Sequence, residues 1–439
     1  MICRQVDEAP EKRPKASRSN QARRPGQASS ALCPGSQEGD RSTAADRESG
    51  VVSLMRLARR NTKRGSDKTD LTGEFDVLIC GASFAGLAAA SMLRGTDARV
   101  LVLDRYEIGE RQTSACAIPT AWLENLDLLE SECQRFDTVV VHTPHGRIDM
   151  PVPWQFSTFD YRALCDLLWV RADAVFETAK VEGPARTSSE GPVSVETDRG
   201  TITADLVVDA LGWRRVLDPA SSFQPPEGPL SRGLEVHPAG TSPDLEVWID
   251  RDYVPAGYGW SFPAGDELRV GVGSFDPRYH VRKPTEKLAD DLGLDTEGWQ
   301  GNWIPHRLRE ATSGPIFFAG DSAGHCLPLT AEGIRPALYF GLALGIELRA
   351  VLEGRQSRER ALDAYHRFNE SHRPHFEGML AAQRALPRIE PRLLKPMLSA
   401  FGNRRFSAWA FGRYLDIAPP AFATVLDRAG NPVPTNARV

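Results

Sequence analysis

The sequence lacks most of the features that mark membrane, metal-binding or nucleic-acid-binding proteins. No uninterrupted apolar run in its 439 residues reaches the roughly 18 that a membrane-spanning helix needs, which excludes an integral membrane protein. The seven cysteines form no C-x-x-C pair and no zinc-ligand spacing occurs, so we predict reduced thiols and no metal site. The 53 Lys and Arg are outnumbered by 58 Asp and Glu, which leaves no basic excess for nucleic acid. The composition predicts a cytoplasmic globular protein.

The first 73 residues differ in composition from the rest of the chain. They hold 15 Lys and Arg and 9 Asp and Glu, so the remaining residues hold 38 basic and 49 acidic side chains. Because large apolar residues are scarce here, too little surface can be buried to offset the entropy of ordering, and we predict a disordered head. No apolar segment of a secretory signal is present. Met55 is an alternative start to Met1.

A strand–turn–helix–strand pattern follows the head and is typical of dinucleotide binding. Residues 75–80 form a short apolar run that leads into Gly81-Ala82-Ser83-Phe84-Ala85-Gly86 and a strongly helix-forming segment. A second apolar run, residues 99–103, ends at Asp104. An acidic residue at this distance from the glycine motif strengthens the prediction, because a glycine pattern alone is weak.

Each part of this pattern has a physical role. Gly81 would allow the tight turn out of the strand, and Gly86 would let the helix lie close to the sheet. The N-terminus of the helix would offer N–H groups to a pyrophosphate. Asp104 could accept a hydrogen bond from a ribose hydroxyl. Ser83 stands where the middle glycine of the fingerprint is expected, which leaves less room for the pyrophosphate but adds a donor.

A second motif favours FAD over NAD. Residues 315–318 predict a buried strand that leads into Gly320 and Asp321, whose carboxylate could bind a polyol chain. A helix that starts near Gly333 would direct its positive end at a ligand above residues 328–332. This end would stabilise the anionic edge of a reduced flavin.

The second motif resembles that of the geranylgeranyl reductase family, within the para-hydroxybenzoate-hydroxylase-like flavoproteins. The resemblance rests on Gly-Asp and on Pro-Leu-Thr-Ala-Glu-Gly-Ile at residues 328–334, with a hairpin at 258–273 and a helix at 159–168, and it runs from about residue 75 to 353. It implies that Asp321 contacts the ribitol and that Gly333 and Ile334 face the isoalloxazine. The FAD contacts we expect are Gly81, Ser83, Phe84, Ala85, Gly86, Asp104, Arg105, Arg111, Cys116, Ala117, Gly320, Asp321, Gly333 and Ile334.

The hairpin is the most informative candidate for a substrate wall. Tyr258, Trp260 and Phe262 fall at alternate positions, so a strand places them on one face. Gly271 and Gly273 on the partner strand would leave open space. Such a wall suits an apolar, planar or polyene ligand over the flavin; the alternative is an ordinary aromatic core face.

The sequence determines no proton donor. Cys116 matches the cysteine of a loop beside the flavin in the reductases, but the glycines that follow it there are missing, and most cysteines are simply buried. Glu332 lies next to the flavin helix but could serve only as a cap. His325 and Cys326 follow the ribitol-binding turn and could be packing residues.

The C-terminal region predicts helices and offers two interpretations. The histidines His366, His372 and His375 are spaced irregularly among charges, which favours a solvated face over a metal site. Beyond them, aromatic residues alternate with Arg404, Arg405 and Arg413. We favour a cap over the substrate domain; the alternative is peripheral contact with a membrane surface.

Together these observations predict an α/β protein: a Rossmann-like FAD-binding domain, an inserted mixed β-sheet substrate domain and a helical C-terminal cap. The expected division is a head at 1–73, FAD-binding segments at 74–135, 155–220 and 310–353, substrate segments at 136–154 and 221–309, and a cap at 354–439.

The predicted activity is that of an FAD-dependent oxidoreductase. It would reduce C=C bonds of an isoprenoid-like or other apolar substrate by hydride transfer from flavin N5, with NADPH, ferredoxin or a deazaflavin as electron donor. One alternative is an FAD-dependent monooxygenase of the same fold, and another is a non-catalytic flavoprotein.

Overall fold

The computed structural model describes residues 68–433 except 113, 188–190, 219, 221–223 and 226. The predicted disordered head therefore lies almost entirely outside the described residues. Its last residues are described, and Leu71 N donates to Arg199 O at 2.7 Å before the first strand begins at Gly73. No helix among the described residues is long and apolar enough to cross a membrane.

The first sheet is mostly parallel and carries both predicted cofactor motifs. Its central strand β1 pairs in parallel with β2 on one side and β8 on the other, and β15 lies beside β8. Residues 77–80 of β1 are fully buried, as expected for a strand covered on both faces. The sheet consists of β1 (Gly73–Cys80), β2 (Val100–Asp104), β6 (Val175–Thr178), β7 (Val193–Thr197), β8 (Gly200–Asp209), β14 (Thr312–Ser313) and β15 (Ile316–Phe318).

The second sheet has eight strands and is mostly antiparallel, in the order β13-β9-β12-β11-β10-β4-β5-β3. Only the β10–β4 pair within it is parallel. Its strands are β3 (Ala117–Pro119), β4 (Glu132–Thr143), β5 (Gly146–Phe159), β9 (Leu230–Val236), β10 (Leu245–Trp248), β11 (Gly257–Ala264), β12 (Glu267–Ser274) and β13 (Gln300–Pro305). A small pair, β16 (Val425–Leu426) and β17 (Pro432–Val433), lies near the C-terminus.

Nine α-helices lie in the described part of the chain. Their bounds are α1 (Phe84–Ser91), α2 (Thr120–Asn125), α3 (Tyr161–Trp169), α4 (Arg282–Asp291), α5 (Ile334–Leu352), α6 (Arg358–Ser371), α7 (Arg373–Ala385), α8 (Pro391–Ser399) and α9 (Arg404–Leu415).

The strands do not divide between the sheets where the sequence placed the domain boundaries. Strand β3 and the start of β4 fall in the segment 74–135 but belong to the second sheet, and β5 continues past residue 155 to Phe159. Alternation alone could not find these limits, because β4 and β5 are long strands with buried residues throughout. In the predicted cap, α6 packs on α5, with Phe340 and Phe368 rings 5.6 Å apart, and so joins the main core.

Helices α1 and α5 cross in close contact because small residues line both. A Cβ added at Gly341 would lie 2.5 Å from Ala85 O, and one at Gly345 would lie 2.5 Å from Met92 Cβ. Helix α1 carries no charged residue and is almost entirely buried, as expected of a helix that is apolar all round. This contact brings the two predicted cofactor motifs together.

We predict that Gly341→Ala lowers the free energy of unfolding by about 1–3 kcal/mol, because the added methyl group must push α5 away from α1. Urea denaturation measures the change. The matched control is Gly378→Ala in α7, where an added Cβ meets no atom within 4 Å. That variant should gain up to about 1 kcal/mol from helix propensity. Equal effects of the two substitutions would contradict the packing argument.

Candidate active site

The first motif forms a tight turn that ends at α1. Gly81 has a φ of +115°, and a Cβ there would collide with Ala210 O. A Cβ at Gly86 would collide with Gly81 O, so both predicted glycine roles are supported by the geometry. Ser83 precedes α1 but does not cap it; its Oγ lies 3.1 Å from Tyr161 Oη. The first N–H groups of α1 are thus left for a ligand.

The other residues of the first motif divide between backbone and side-chain roles. Phe84 and Ala85 are buried in the first turn of α1, and the Phe84 ring packs edge-on against Tyr161 with the ring centroids 5.3 Å apart. Downstream, the guanidinium carbons of Arg105 and Arg111 lie 5.1 and 5.4 Å from the ring centroid of Tyr106. These two arginines form a basic surface beside Asp104.

Asp104 closes the turn from the second strand. Its Oδ2 accepts from Ala82 N at 2.9 Å and its Oδ1 accepts from Tyr106 N at 3.0 Å. Burial raises the pKa of its carboxyl, and these two backbone hydrogen bonds act in the opposite direction. Each oxygen keeps a further lone pair, which suits the predicted contact with a ribose hydroxyl.

The second motif meets the first at Gly320. This residue has a φ of +62°, and a Cβ there would lie 3.1 Å from Ala85 Cβ. A Cβ at Gly333 would lie 3.8 Å from Asp321 Oδ1, so the start of α5 adjoins this carboxylate. Among the described residues, no group donates a hydrogen bond to the Asp321 carboxylate, and burial raises its pKa to about 6. An acceptor in this partly buried position is costly without a donor, unless a ligand supplies one.

These residues fit an FAD molecule. The uncapped start of α1 suits the pyrophosphate, Asp104 suits the ribose, and Asp321 has the free acceptors that a ribitol chain requires. The start of α5 at Ile334, preceded by Gly333 without a side-chain cap, places a positive helix end beside the predicted flavin position.

The predicted aromatic wall is present, but its glycines do not leave open space. Tyr258, Trp260 and Phe262 alternate along β11 and are all partly exposed. The indole of Trp260 lies flat over the glycines of the neighbouring strands: a Cβ at Gly271 would collide with its ring, and one at Gly273 would lie 3.4 Å from it. The prediction of an empty space was therefore wrong, because the indole ring of Trp260 packs directly on the backbone of these glycines.

A buried carboxylate that the sequence analysis missed holds the wall in place. Glu235 on β9 is 4% exposed and accepts from Trp260 Nε1 at 3.0 Å and from Gln300 Nε2. His237 bridges Glu235 and Glu267 at 3.1 and 3.3 Å. Burial would lower the pKa of His237, but these two carboxylates raise it to about 9. The sequence signal that could have revealed this site is Glu235 itself, an acidic residue at a buried position of strand β9.

The wall reaches the cofactor loop at one point. Tyr258 Oη donates to Thr330 O, in the loop that leads into α5. The substrate wall and the second cofactor motif are therefore joined by a direct hydrogen bond.

Known proteins share both the sequence pattern and the fold, although no protein-family model matches the chain. The chain is 26% identical over 306 residues to digeranylgeranylglycerophospholipid reductase 2 of Methanopyrus kandleri, covering 62% of this chain and 76% of that protein. It is 23% identical over 347 residues to reductase 3 of Methanosphaera stadtmanae, covering 68% and 83%.

Among solved structures, a geranylgeranyl bacteriochlorophyll reductase-like protein of Thermoplasma acidophilum matches with a TM-score of 0.69 at 14% identity, covering 80% of this chain and 98% of that one. The chain is thus similar in sequence to digeranylgeranylglycerophospholipid reductases and shares the fold of a geranylgeranyl reductase-like protein. PqsL of Pseudomonas aeruginosa, a probable FAD-dependent monooxygenase, matches with a TM-score of 0.56 at 19% identity, covering 72% and 96%. These matches confirm the predicted fold class and the prediction of an FAD-dependent oxidoreductase.

Cys116, one of the two candidate proton donors, is fully buried. It has a φ of +55°, a region that favours glycine, and its thiol donates to Ser114 O at 3.1 Å. Burial raises its pKa well above the usual range. Ala117 follows it as the first residue of β3. The role of Cys116 as a proton donor stays a prediction.

Glu332, the other candidate donor, is engaged in an ion pair. Its carboxylate oxygens lie 2.7 and 2.8 Å from Nε and Nη2 of the fully buried Arg335, and Tyr414 Oη also donates to it. Arg335 donates further to Leu415 O and Ala418 O. These contacts argue for a structural role of Glu332. Sequence spacing could suggest the 332–335 pair but not the contact with Tyr414.

His325 holds the Gly320 turn. Its Nδ1 accepts from Gly320 N at 3.1 Å, so its Nε2 donates to Asn369 Oδ1 at 2.9 Å. Its ring stacks on Phe340 with centroids 3.8 Å apart. Burial lowers its pKa to about 3, so the imidazole is neutral. Cys326 is buried as well, and burial raises its pKa. Both residues match the packing interpretation.

We predict that Asp321→Asn weakens FAD binding at least about tenfold, because hydrogen bonds from hydroxyls to a charged acceptor are strong. Bound hydroxyls favour the ionised carboxylate, so FAD affinity of the unmodified chain should fall as the pH drops below about 6. The variant should lack this fall. Quenching of FAD fluorescence measures both effects, with Asp363→Asn, on the exposed side of α6, as control. An affinity unaffected by Asp321→Asn would refute the ribitol contact.

We predict that His325→Gln reduces the loss of stability at acid pH. The pKa values of His325 and His306 are lowered to about 3 and about 4, so the unfolded chain binds protons that the folded chain does not as the pH falls below 6.5. Between about pH 7.5 and 5.5, each such histidine should lower the free energy of unfolding by about 1.4 kcal/mol. Urea denaturation at both pH values should therefore show that the variant loses about 1.4 kcal/mol less unfolding free energy than the unmodified chain. The exposed His375→Gln serves as control and should behave like the unmodified chain.

Proposed function

We propose that the protein reduces C=C bonds of an isoprenoid-like or other apolar lipid substrate, with FAD as cofactor. The observation that carries this proposal is the hydrogen bond from Tyr258 to Thr330, because it sets a wall of aromatic rings against the predicted flavin position. The chain matches two relatives over most of their length, and both are named digeranylgeranylglycerophospholipid reductases. This supports an isoprenoid lipid as the substrate class.

The residues of the chain supply binding, orientation and exclusion of water. Asp104 and Asp321 would hold the two ends of the cofactor, and the close contact of α1 with α5 fixes their separation. The partly exposed faces of Tyr258, Trp260 and Phe262 would bind a polyene flat and keep water from its double bond. FAD supplies the hydride from its N5 when bound, and an external donor such as NADPH, ferredoxin or a deazaflavin would reduce it.

An anaerobic reduction assay tests the proposal. The purified protein, loaded with FAD and reduced with dithionite, is mixed with a digeranylgeranylglycerophospholipid, and the absorbance of oxidised FAD and the product mass are followed. We expect oxidised FAD to return as the product gains about two mass units per double bond. No gain in product mass would refute the proposal, and the same assay with each donor class identifies the reductant.

We predict that Trp260→Ala lowers kcat/KM for the prenyl substrate at least about tenfold, because the ring faces that bind the polyene are lost. FAD content should stay unchanged, since Trp260 belongs to the wall and not to the cofactor motifs. The control is Trp299→Ala, a partly buried tryptophan that packs against a different group of residues, the core cluster that includes Val270 and Val272. Equal loss in both variants would mean that the effect is one of stability alone.

The second candidate is an FAD-dependent monooxygenase, favoured by the fold that the chain shares with PqsL. In an aerobic reaction with NADPH, this activity would yield a hydroxylated product whose added oxygen comes from O₂. Labelling with ¹⁸O₂ separates the two: incorporation supports the monooxygenase, and its absence with a gain of hydrogen supports the reductase.

A further inference from the structure

We propose that α8 and α9 dock the protein onto the surface of an anionic lipid bilayer. The docking surface comprises the outward apolar residues Leu393, Met397, Phe406 and Trp409 and the exposed Arg392, Arg404, Arg405 and Arg413. The proposed function supplies only the reason for such binding, since an enzyme that reduces lipids must reach them in the bilayer. The binding itself is inferred from exposure and charge.

One face of these helices is already used for packing. Leu398, Phe401 and Phe411 pack against Val141, Ile148 and Met150 of the second sheet. The ring of Phe411 lies edge-on to Trp154 at 5.5 Å, and Ser407 Oγ donates to Pro151 O at 2.8 Å. The helices therefore cover strands β4 and β5, as the cap interpretation expects, and their other face is directed away from the sheet.

The outward face concentrates exposed apolar side chains. Leu393, Met397, Phe406 and Trp409 are 49%, 53%, 39% and 61% exposed. They are four of the ten large apolar residues that are exposed among the described residues, although they lie within two neighbouring helices. The Phe406 and Trp409 rings are 5.8 Å apart. Exposed apolar residues that stand singly are ordinary, whereas a concentration of them in one segment indicates an interaction surface.

The charge of this segment selects the partner. Residues 386–415 contain six Lys and Arg but one acidic residue, Glu390, whereas residues 74–439 as a whole have an excess of acidic side chains. Along α9, Arg405, Trp409 and Arg413 are spaced by one turn each, so an indole lies between two guanidinium groups on one helix face. Aromatic rings at the acyl boundary and arginines at the phosphates form the pattern of an interfacial helix on anionic lipid.

The docking surface is connected to the cofactor loop. Tyr414, near the end of α9, lies 3.2 Å from Thr330 Oγ1 through its hydroxyl and donates to Glu332. The Arg335 guanidinium holds Leu415 O at 3.1 Å. Helix α9, which would lie on the bilayer, therefore ends at the loop that contains Thr330. The same loop accepts the hydrogen bond from Tyr258 of the aromatic wall.

Sedimentation with vesicles tests this proposal on the full chain loaded with FAD. We expect binding to vesicles of phosphatidylcholine with about 30% phosphatidylglycerol, much weaker binding to pure phosphatidylcholine, and loss of binding at high salt. Phe406→Ser with Trp409→Ser should weaken binding at least about tenfold through lost apolar burial. Arg405→Gln with Arg413→Gln should remove on the order of tenfold of the preference for anionic vesicles.

The matched control is Val175→Ser with Leu292→Ser, which changes apolar residues that are 55% and 37% exposed elsewhere on the protein. This pair should bind vesicles like the unmodified chain, and unaltered FAD absorbance in every variant shows intact folding. Failure to bind anionic vesicles, or binding that survives both surface variants, would overturn the proposal. A dimer in sedimentation velocity that Trp409→Ser abolishes, without vesicle binding, would assign the face to a second copy instead. Vesicle binding needs no turnover, so its outcome is independent of the reductase assay.

Discussion

The close contact between α1 and α5 is the constraint on which the cofactor site depends. Each helix begins at one of the two motifs, so the distance between the motifs is set by how closely the helices pack. Gly341 and Gly345 face the alanines of α1 with no space for a side chain, and Gly320 lies against Ala85. Because packed interfaces of this kind resist sliding, the two motifs are held at a fixed separation.

Buried polar groups fix the positions of the loops, as the glycines fix the positions of the helices. His325 stays neutral and uses both ring nitrogens to fix the Gly320 turn between two elements. Glu332 pairs with Arg335 and accepts from Tyr414, and these contacts fix the following loop to the C-terminal segment. A buried ion pair adds little net stability after desolvation. Its contribution here is geometric, because a loop without it could adopt other positions beside the start of α5.

The parts that could be predicted from the sequence are those in which neighbouring residues act together. Gly81, Gly86 and Asp104 form one strand–turn–helix–strand unit, and the alternation of Tyr258, Trp260 and Phe262 is a property of a single strand. Contacts between distant segments could not be predicted. Nothing in the spacing shows that Trp260 lies on Gly271 and bonds to Glu235 or that Tyr414 meets Glu332, since these depend on the order of strands in the second sheet. The limits of β3 and β5 were missed for the same reason.

The hydrogen bonds of the wall also limit how it can choose a ligand. The indole N–H of Trp260 donates a hydrogen bond to Glu235, and the hydroxyl of Tyr258 donates one to Thr330 O. Both rings therefore offer a ligand their apolar faces and not their hydrogen-bond donors. Glu235 is also bonded to His237 and Gln300, so it cannot turn towards a ligand without breaking these hydrogen bonds in a buried position. A wall of this kind selects by shape. Because apolar pockets discriminate only about 10- to 200-fold per methylene group, the wall should accept chains of related length, and any sharper selection must come from polar groups outside it.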